Sequence, residues 1–319
     1  MKDLHSQGAV STGGLGRVKG VIHPNTESPD SIGRGDADSV MKATQAPSDA
    51  NLAEGFSAIA IEASLAILSV DFRKAGTRHK ADNSPVTKAD EAAHTSILAG
   101  LARLLPGVPV VSEEACEEWR GREPGPAFVL VDPLDGTSEF IAGRLEYTVN
   151  IALIRDGAPV VGVVAAPALG LVWHGAAGHG AARLRFSVGD AGRPRRAQGV
   201  HTRAWPTGDA AEPVAAVSRS HFDAVSGAFL KRLGPLKEVA FGSALKFARL
   251  AEGAVDVYPR LAPTYEWDVA AGHALVVAAG GTVRAPDGGA LHYGRAHVGF
   301  RVDGFTAWGD AAAAGRFAP

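Results

Sequence analysis

The chain has 319 residues, 46% of them hydrophobic, and a formal net charge of -2. That length and composition support two ordinary domains or one large layered one with a sizeable core, and the near-neutral balance excludes a general attraction for nucleic acid or anionic lipid. One cysteine, Cys116, excludes an internal disulfide and a thiolate metal cage, which leaves oxygen ligands as the route to a metal.

Residues 1–50 are rich in Gly, Ser, Asp and Pro with scattered single hydrophobics. Such a stretch buries too little apolar surface to offset an ordering cost of roughly 1–2 kcal/mol per residue, so a disordered extension is expected, with Met41 as an alternative start. No uninterrupted apolar run approaches the roughly 18 residues that span a bilayer, and the N-terminus lacks a basic region followed by an apolar core. The expected location is cytoplasmic, with any membrane contact peripheral on the cytoplasmic face.

Phe56, Ile59, Ala63, Ile67 and Val70 recur at helical spacing and predict an amphipathic helix from about Leu52 to about Arg73. A second helix is predicted from Lys88 to Leu105, stopped by Pro106. Pro109–Ser112 and Phe128–Asp132 read as short buried strands. Thr148–Arg155 and Pro159–Ala165 read as a hairpin closed at Asp156-Gly157, and Leu171–Ala176 as a further strand. Residues 187–213 lack any period and are expected to be surface loop at a domain junction near 212. The expected division is therefore an extension over 1–50, a metal-binding domain over 51–211 and a substrate domain over 212–319. Beyond it, strands at Ala215–Ser218, Leu236–Val239 and Asp256–Tyr258 alternate with helices at His221–Leu233, Ser243–Glu252 and Asp268–Ala279, a pattern that favours α/β layering.

Two acidic clusters carry the chemical signal: Ser112-Glu113-Glu114, and Asp132-Pro133-Leu134-Asp135-Gly136-Thr137, each at the end of a predicted strand. The second sets two carboxylates three positions apart around a proline-fixed turn and exposes the Leu134 carbonyl. Oxygen-only ligands suit Mg²⁺, and the Gly136 and Thr137 amides at a helix start suit phosphoryl oxygens. If Glu113, Asp132, Asp135 and Asp268 converged without cations, each pair about 4 Å apart would repel by roughly 4 kcal/mol at an effective dielectric near 20. Each acid also has a purely structural reading: Asp135 as a turn residue, Asp268 as an N-cap, Glu113 as a solvated charge, Asp90 as a first-turn acid facing a helix dipole.

From Leu52 onward the chain resembles the lithium-sensitive, Mg²⁺-dependent inositol monophosphatase superfamily. The matching segments are Asp82-Asn83-Ser84-Pro85-Val86-Thr87-Lys88-Ala89-Asp90, Ser112-Glu113-Glu114, Asp132 to Thr137, and Glu266-Trp267-Asp268 before Ala270-Ala271-Gly272. The resemblance implies a layered αβαβα sandwich of the sugar phosphatase type, its N-terminal half built on an antiparallel sheet and its C-terminal half mixed α/β. It implies two or three Mg²⁺ ions held by Glu113, Asp132, the Leu134 carbonyl, Asp135 and Asp268. It also implies that Asp90 and Thr137 position and activate the attacking water.

Within that superfamily, Ser218-Arg219-Ser220-His221, Gly242-Ser243-Ala244-Leu245-Lys246-Phe247 and Asp256-Val257-Tyr258-Pro259-Arg260 resemble the CysQ type of 3'(2'),5'-bisphosphate nucleotidase. This implies that His221, Ser243, Lys246 and Arg260 contact a small nucleotide bisphosphate, with Gly136, Thr137 and Asp268 also at the substrate. The reaction implied is removal of the 3'-phosphate of 3'-phosphoadenosine 5'-phosphate in the setting of sulfate assimilation. Lys246 as a solvated helix charge, Arg260 as a surface residue and His221 as a helix-start cap are the structural alternatives. An inositol, sugar or histidinol phosphate phosphatase is the alternative activity, and a non-catalytic metal-binding regulator the alternative of another class. The oligomeric state stays open. His174, His179, His273, His292 and His297 show no metal-ligand spacing and are expected to be surface or satisfied core residues.

Overall fold

The first helix among the described residues, α1 (Asp49–Leu68), begins where the Ser48 hydroxyl accepts the Asn51 amide at 3.3 Å, and it buries Leu52, Phe56, Ile59, Ala63 and Ile67. It is seen in a computed structural model that describes residues 47–79, 85–189, 196–208 and 212–317. The expectation of disorder thus lies, up to residue 46, outside the described residues, as do Asp82-Asn83-Ser84. The helix is shorter than its apolar pattern suggested, because the chain leaves it at Ser69 and makes a separate 3-10 turn over Phe72–Lys74, capped by Asp71.

An antiparallel pair of two-residue strands, β1 (Arg78–His79) with β2 (Pro85–Val86), precedes α2 (Lys88–Leu104), which packs beside α1. There follow β3 (Val110–Ser112), β4 (Ala127–Asp135), the short α3 (Thr137–Ile141), β5 (Thr148–Arg155), β6 (Ala158–Ala166), β7 (Leu171–Ala176), β8 (Gly180–Arg185) and β9 (Gln198–Val200). These seven strands form one sheet in chain order, parallel only at β3–β4 and antiparallel elsewhere. The β5–β6 hairpin turns at Asp156 and Gly157, whose φ values of 49° and 75° are the left-handed pair that a tight hairpin of this kind needs. β8 was not legible in the sequence, and β9 corrects the expectation of loop throughout 187–213. β9 is an edge strand of three residues whose apolar content is Val200 alone, too little for a periodic signal.

The second half contributes β10 (Val214–Ser218), α4 (Ala224–Arg232), β11 (Lys237–Phe241), α5 (Leu245–Ala251), β12 (Val257–Arg260), β13 (Thr264–Tyr265) and α6 (Glu266–Ala278). After these come β14 (Thr282–Arg284), β15 (Arg301–Val302), β16 (Phe305–Trp308) and α7 (Ala311–Arg316). A five-stranded mixed sheet runs β11-β10-β12-β16-β14, and β13 pairs with β15. α4 starts three residues later than its pattern implied, because Asp223 caps it by accepting the Ser226 amide at 2.8 Å and the Ser226 hydroxyl at 2.6 Å.

Three apolar layers hold the elements together. α1 and α2 pack on one face of the seven-stranded sheet through Phe56, Ile97, Val131 and Ile151. α5 and α6 lie between the two sheets, where Trp173, Phe247, Leu275 and Phe305 meet. α4 and α7 cover the outer face of the five-stranded sheet around Phe229 and Trp308. The order is the αβαβα sandwich. By length and composition α1 is also apolar enough to cross a membrane, but here its apolar side is core.

Close approach of backbone fixes α6 against the sheet. A Cβ on Gly162 of β6 would overlap the Ala271 carbonyl and lie 2.8 Å from the Ala274 Cβ. Gly162→Ala is therefore expected to destabilise the fold by about 1–3 kcal/mol, read as a lower urea midpoint; an unchanged midpoint would contradict this packing of helix on sheet.

Candidate active site

Along an ordinary strand, residues three apart point to opposite faces. Asp132 and Asp135 nevertheless line one cavity, because β4 carries an extra residue between them: Asp132 pairs with Asn150 and Asp135 with Thr148, three steps against two. This β-bulge holds Pro133, which a central strand tolerates only at such an irregularity. The Asp132 carboxylate accepts the Leu134 amide at 3.0 Å and so fixes the bulge from within. Gly136 then takes φ 92° and starts α3; a Cβ there would overlap the Ser243 hydroxyl.

Asp90, read in the sequence as a first-turn acid or as a catalytic group, makes both a local and a long-range contact. It is the third residue of α2, and its Oδ2 accepts the Thr87 amide at 2.7 Å and the Thr87 hydroxyl at 2.6 Å, a capping box. Its Oδ1 accepts the Thr137 hydroxyl at 3.0 Å, a link across 47 residues. Thr137 Oγ1 also lies 3.2 Å from the Leu134 carbonyl. Burial raises the Asp90 pKa, against the hydrogen bonds from Thr87 and Thr137, which lower it.

Asp135 connects the two sheets. Its Oδ2 accepts the Ala244 amide at 2.7 Å and, more weakly, the Thr148 hydroxyl and the Asn150 amide at 3.3 and 3.4 Å. Ser243, itself at φ 49°, donates its hydroxyl to the Asp135 carbonyl at 2.8 Å or to the Glu146 carbonyl at 3.0 Å. Burial, and next the negative charge of Asp268, push the Asp135 carboxyl up to about 6, while Lys246, the Ala244 amide and Arg260 pull the other way. Asp268 occupies the third position of α6 rather than its N-cap. Its Oδ2 accepts the Tyr265 amide at 3.1 Å and the Thr264 hydroxyl. Glu113 opens a 3-10 turn directly after β3 and lines the same cavity.

That cavity has a volume of about 460 Å³. It gathers Glu113, Asp132, Leu134, Asp135, Gly136 and Thr137 from the first half, and His221, Ser243, Lys246, Arg260 and Asp268 from the second. Among the sequence-selected residues only Asp90 is set back, reaching the cavity through Thr137. Lys246 is 2% exposed, so it is not a solvated helix charge. Its ammonium donates to the Ser243 carbonyl at 2.6 Å and the Phe241 carbonyl at 3.3 Å and sits 5.2 Å from the Tyr258 ring centre. Burial lowers its pKa to about 8, opposed by the Asp135 charge. Arg260 is partly buried, and its Nε is a buried donor without a hydrogen-bond partner. His221 sits at the exposed rim, its amide donating to Ser218 Oγ at 3.1 Å.

Metal fit rests on donor chemistry. Every acidic group in the cavity is an oxygen donor, and the Asn150 Oδ1 beside Asp135 is a buried acceptor without a hydrogen-bond partner. Burial, and next the Asp268 charge, raise the Asp135 pKa even with Lys246 and Arg260 opposing, and a further cation in the cavity would relieve both effects. Among the described residues, no three His, Cys, Asp or Glu side chains already form a closed metal cage. Each of Asp132, Asp135 and Asp268 instead spends one oxygen on a protein donor. The residues fit hard divalent ions completed by the Leu134 carbonyl, substrate and water.

Several supporting residues were not legible in the sequence. Glu146 accepts three Arg219 bonds, one at 2.8 and two at 3.0 Å, and the Gly242 amide at 2.7 Å, which clamps the turn that carries Ser243. Buried Glu139 accepts the Ser220 hydroxyl at 2.5 Å. These partners lie 73 to 96 positions apart, so no local motif announces them. The histidines outside the cavity behave as expected for satisfied groups where they are buried: His174 bonds Ser57 Oγ at 2.7 Å and His273 bonds the Tyr293 hydroxyl at 2.9 Å.

An αβαβα sandwich with carboxylates from both halves around one cavity defines a class of phosphatase fold, and the chain matches the Inositol monophosphatase family over residues 49–310. The chain belongs to that family. The 3'(2'),5'-bisphosphate nucleotidase CysQ of Salmonella typhimurium is 45% identical over 219 residues, which are 67% of this chain and 81% of that protein. The protein of the same name from Buchnera aphidicola is 37% identical over 236 residues, 72% of this chain and 82% of that one. The crystal structure of CysQ from Bacteroides thetaiotaomicron superposes with a TM-score of 0.64 at 34% identity, covering 81% of this chain and 97% of that one.

Magnesium is expected to raise the melting temperature of the protein, since a cation held by this cavity would bind the folded chain alone. The shift should shrink as pH falls through about 6, where Asp135 takes up a proton, and should be largely lost in Asp135→Asn. A full shift in that variant, measured by calorimetry, would remove Asp135 from the metal site.

Proposed function

We propose that this chain is a divalent-metal-dependent 3'(2'),5'-bisphosphate nucleotidase that hydrolyses the 3'-phosphate of 3'-phosphoadenosine 5'-phosphate to give AMP and phosphate. The observation that carries the reading is one cavity lined both by the four acids Glu113, Asp132, Asp135 and Asp268 and by two cations, the buried Lys246 and the partly buried Arg260. A monophosphate site needs the acids and their metal; the added cations match a substrate that keeps a second phosphate. The family relationship and the CysQ relatives support the same conclusion. A cytoplasmic location and a role in sulfate assimilation belong to the same proposal.

Glu113, Asp132, the Leu134 carbonyl, Asp135 and Asp268 would hold two or three Mg²⁺ ions. When bound, such ions supply Lewis-acid charge to the phosphoryl group and its leaving oxygen and acidify water. The chain itself then handles the proton. With its hydrogen donated to Asp90 Oδ1, the Thr137 oxygen keeps lone pairs for a proton of the attacking water, and Asp90 absorbs the charge that results. Burial makes Asp90 the stronger base for this task. As water adds to phosphorus, the bond from phosphorus to the ribose 3' oxygen breaks; that oxygen takes one proton from a cavity water and leaves as the 3' hydroxyl, and the proton held at Asp90 and Thr137 returns to solvent. The Gly136 and Thr137 amides face the phosphoryl oxygens, and the Arg260 Nε donor meets the phosphate that remains. His221 and Ser243 border the nucleotide, Ser243 chiefly by shaping the turn.

Phosphate release from the bisphosphate nucleotide, compared with release from inositol 1-phosphate and histidinol phosphate in Mg²⁺, tests the assignment. A clear preference for the nucleotide is expected, and a preference for either of the others would overturn it. Asp90→Asn is expected to cut turnover by about 10²–10⁴-fold with nucleotide binding retained by calorimetry. An unchanged rate would remove Asp90 from the mechanism.

A further inference from the structure

Four aromatic residues line the candidate active site: Phe247, Tyr258, Trp267 and Tyr265. The first three are buried at 1%, 2% and 4% exposure and serve the core, whereas Tyr265 is 39% exposed. Its ring lies parallel to that of Trp267, with centres 4.8 Å apart and planes 9° from each other. Trp267 in turn contacts Phe300 in the core between the sheets, with ring centres 6.0 Å apart. The exposed ring is therefore held in a fixed plane by a chain of buried ones.

Tyr265 is also fixed through its backbone. It pairs with Arg301 across the β13–β15 ladder, and its amide donates to Asp268 at 3.1 Å. It stands on the boundary between the active-site cavity and a second, larger one of about 1030 Å³, both of which it lines together with Glu113 and Trp267. A flat ring exposed beside a phosphate-handling cavity and presented at low entropic cost has the properties of a platform for a planar base.

We propose that Tyr265 is a specificity residue that stacks on the purine of the substrate nucleotide; this rests on the nucleotidase reading above. The packing that fixes its plane is already present, so a base gains dispersion contact without ordering a mobile side chain. A substrate without a base gains nothing from this ring. Tyr265 thereby separates nucleotide from sugar phosphate even though the acids treat both alike.

The test compares the wild type, Tyr265→Ala and Tyr265→Phe on 3'-phosphoadenosine 5'-phosphate and on ribose 3,5-bisphosphate, which lacks the base, in Mg²⁺. For Tyr265→Ala the KM for the nucleotide is expected to rise about tenfold, the scale of one lost base–aromatic stack, with kcat within about twofold and the base-free substrate unaffected. Tyr265→Phe should restore the wild-type KM, because the ring and not the hydroxyl makes the contact. Equal effects on both substrates, or no effect on either, would overturn the proposal. Should the wild type fail to hydrolyse the nucleotide, the nucleotidase reading falls, and titration of AMP against ribose 5-phosphate by calorimetry still decides this one. A preference for AMP that disappears in Tyr265→Ala supports the platform, and equal binding of the two by the wild type refutes it.

Discussion

Mutual repulsion among carboxylates is the constraint around which this molecule is built. Asp135 ends strand β4 and Asp268 lies in the first turn of α6, and burial, and next the Asp268 charge, raise the Asp135 carboxyl to about 6. Two partly buried negative charges that converge oppose folding unless cations share the space. Lys246 and Arg260 supply part of that compensation from the protein, and divalent ions would supply the rest. The same positive charge would then serve a phosphate, so that the arrangement that relieves the fold would also recruit the substrate.

The fold meets this constraint with backbone devices. The extra residue in β4 turns two acids that would face opposite sides of the sheet toward one cavity. The left-handed Gly136 lets the chain pass close under the Ser243 hydroxyl. Ser243 then ties the end of β4 to the turn before α5, and Glu146 with Arg219 clamps the same turn from outside. Each contact joins the two halves at the level of the acids, so loss of register between the sheets would scatter the site.

Much of the architecture was legible because periodic burial left its mark on long elements. α1, α2, α6 and the β5–β6 hairpin show the spacing of their buried residues directly. The strands β8, β9 and β13–β16 did not, being short, edge-located or folded after residues with no period. The acids and Thr137 were legible from local motifs. What stayed hidden was how each is held: the Glu146–Arg219 clamp, the Glu139–Ser220 bond and the burial of Lys246 depend on partners distant in the chain. The sequence offered Asp90 as either a first-turn acid facing the helix dipole or a catalytic group. The capping bonds fall on one carboxylate oxygen and the Thr137 bond on the other, so the two readings do not compete.

Anomalous diffraction from crystals grown with Mn²⁺ in place of Mg²⁺ addresses the arrangement most directly. Manganese peaks are expected within the cavity, bonded to Asp132, Asp135, Asp268 and the Leu134 carbonyl. Ordered manganese bound only elsewhere, with Asp268 still turned to Thr264 and the cavity holding water alone, would contradict it.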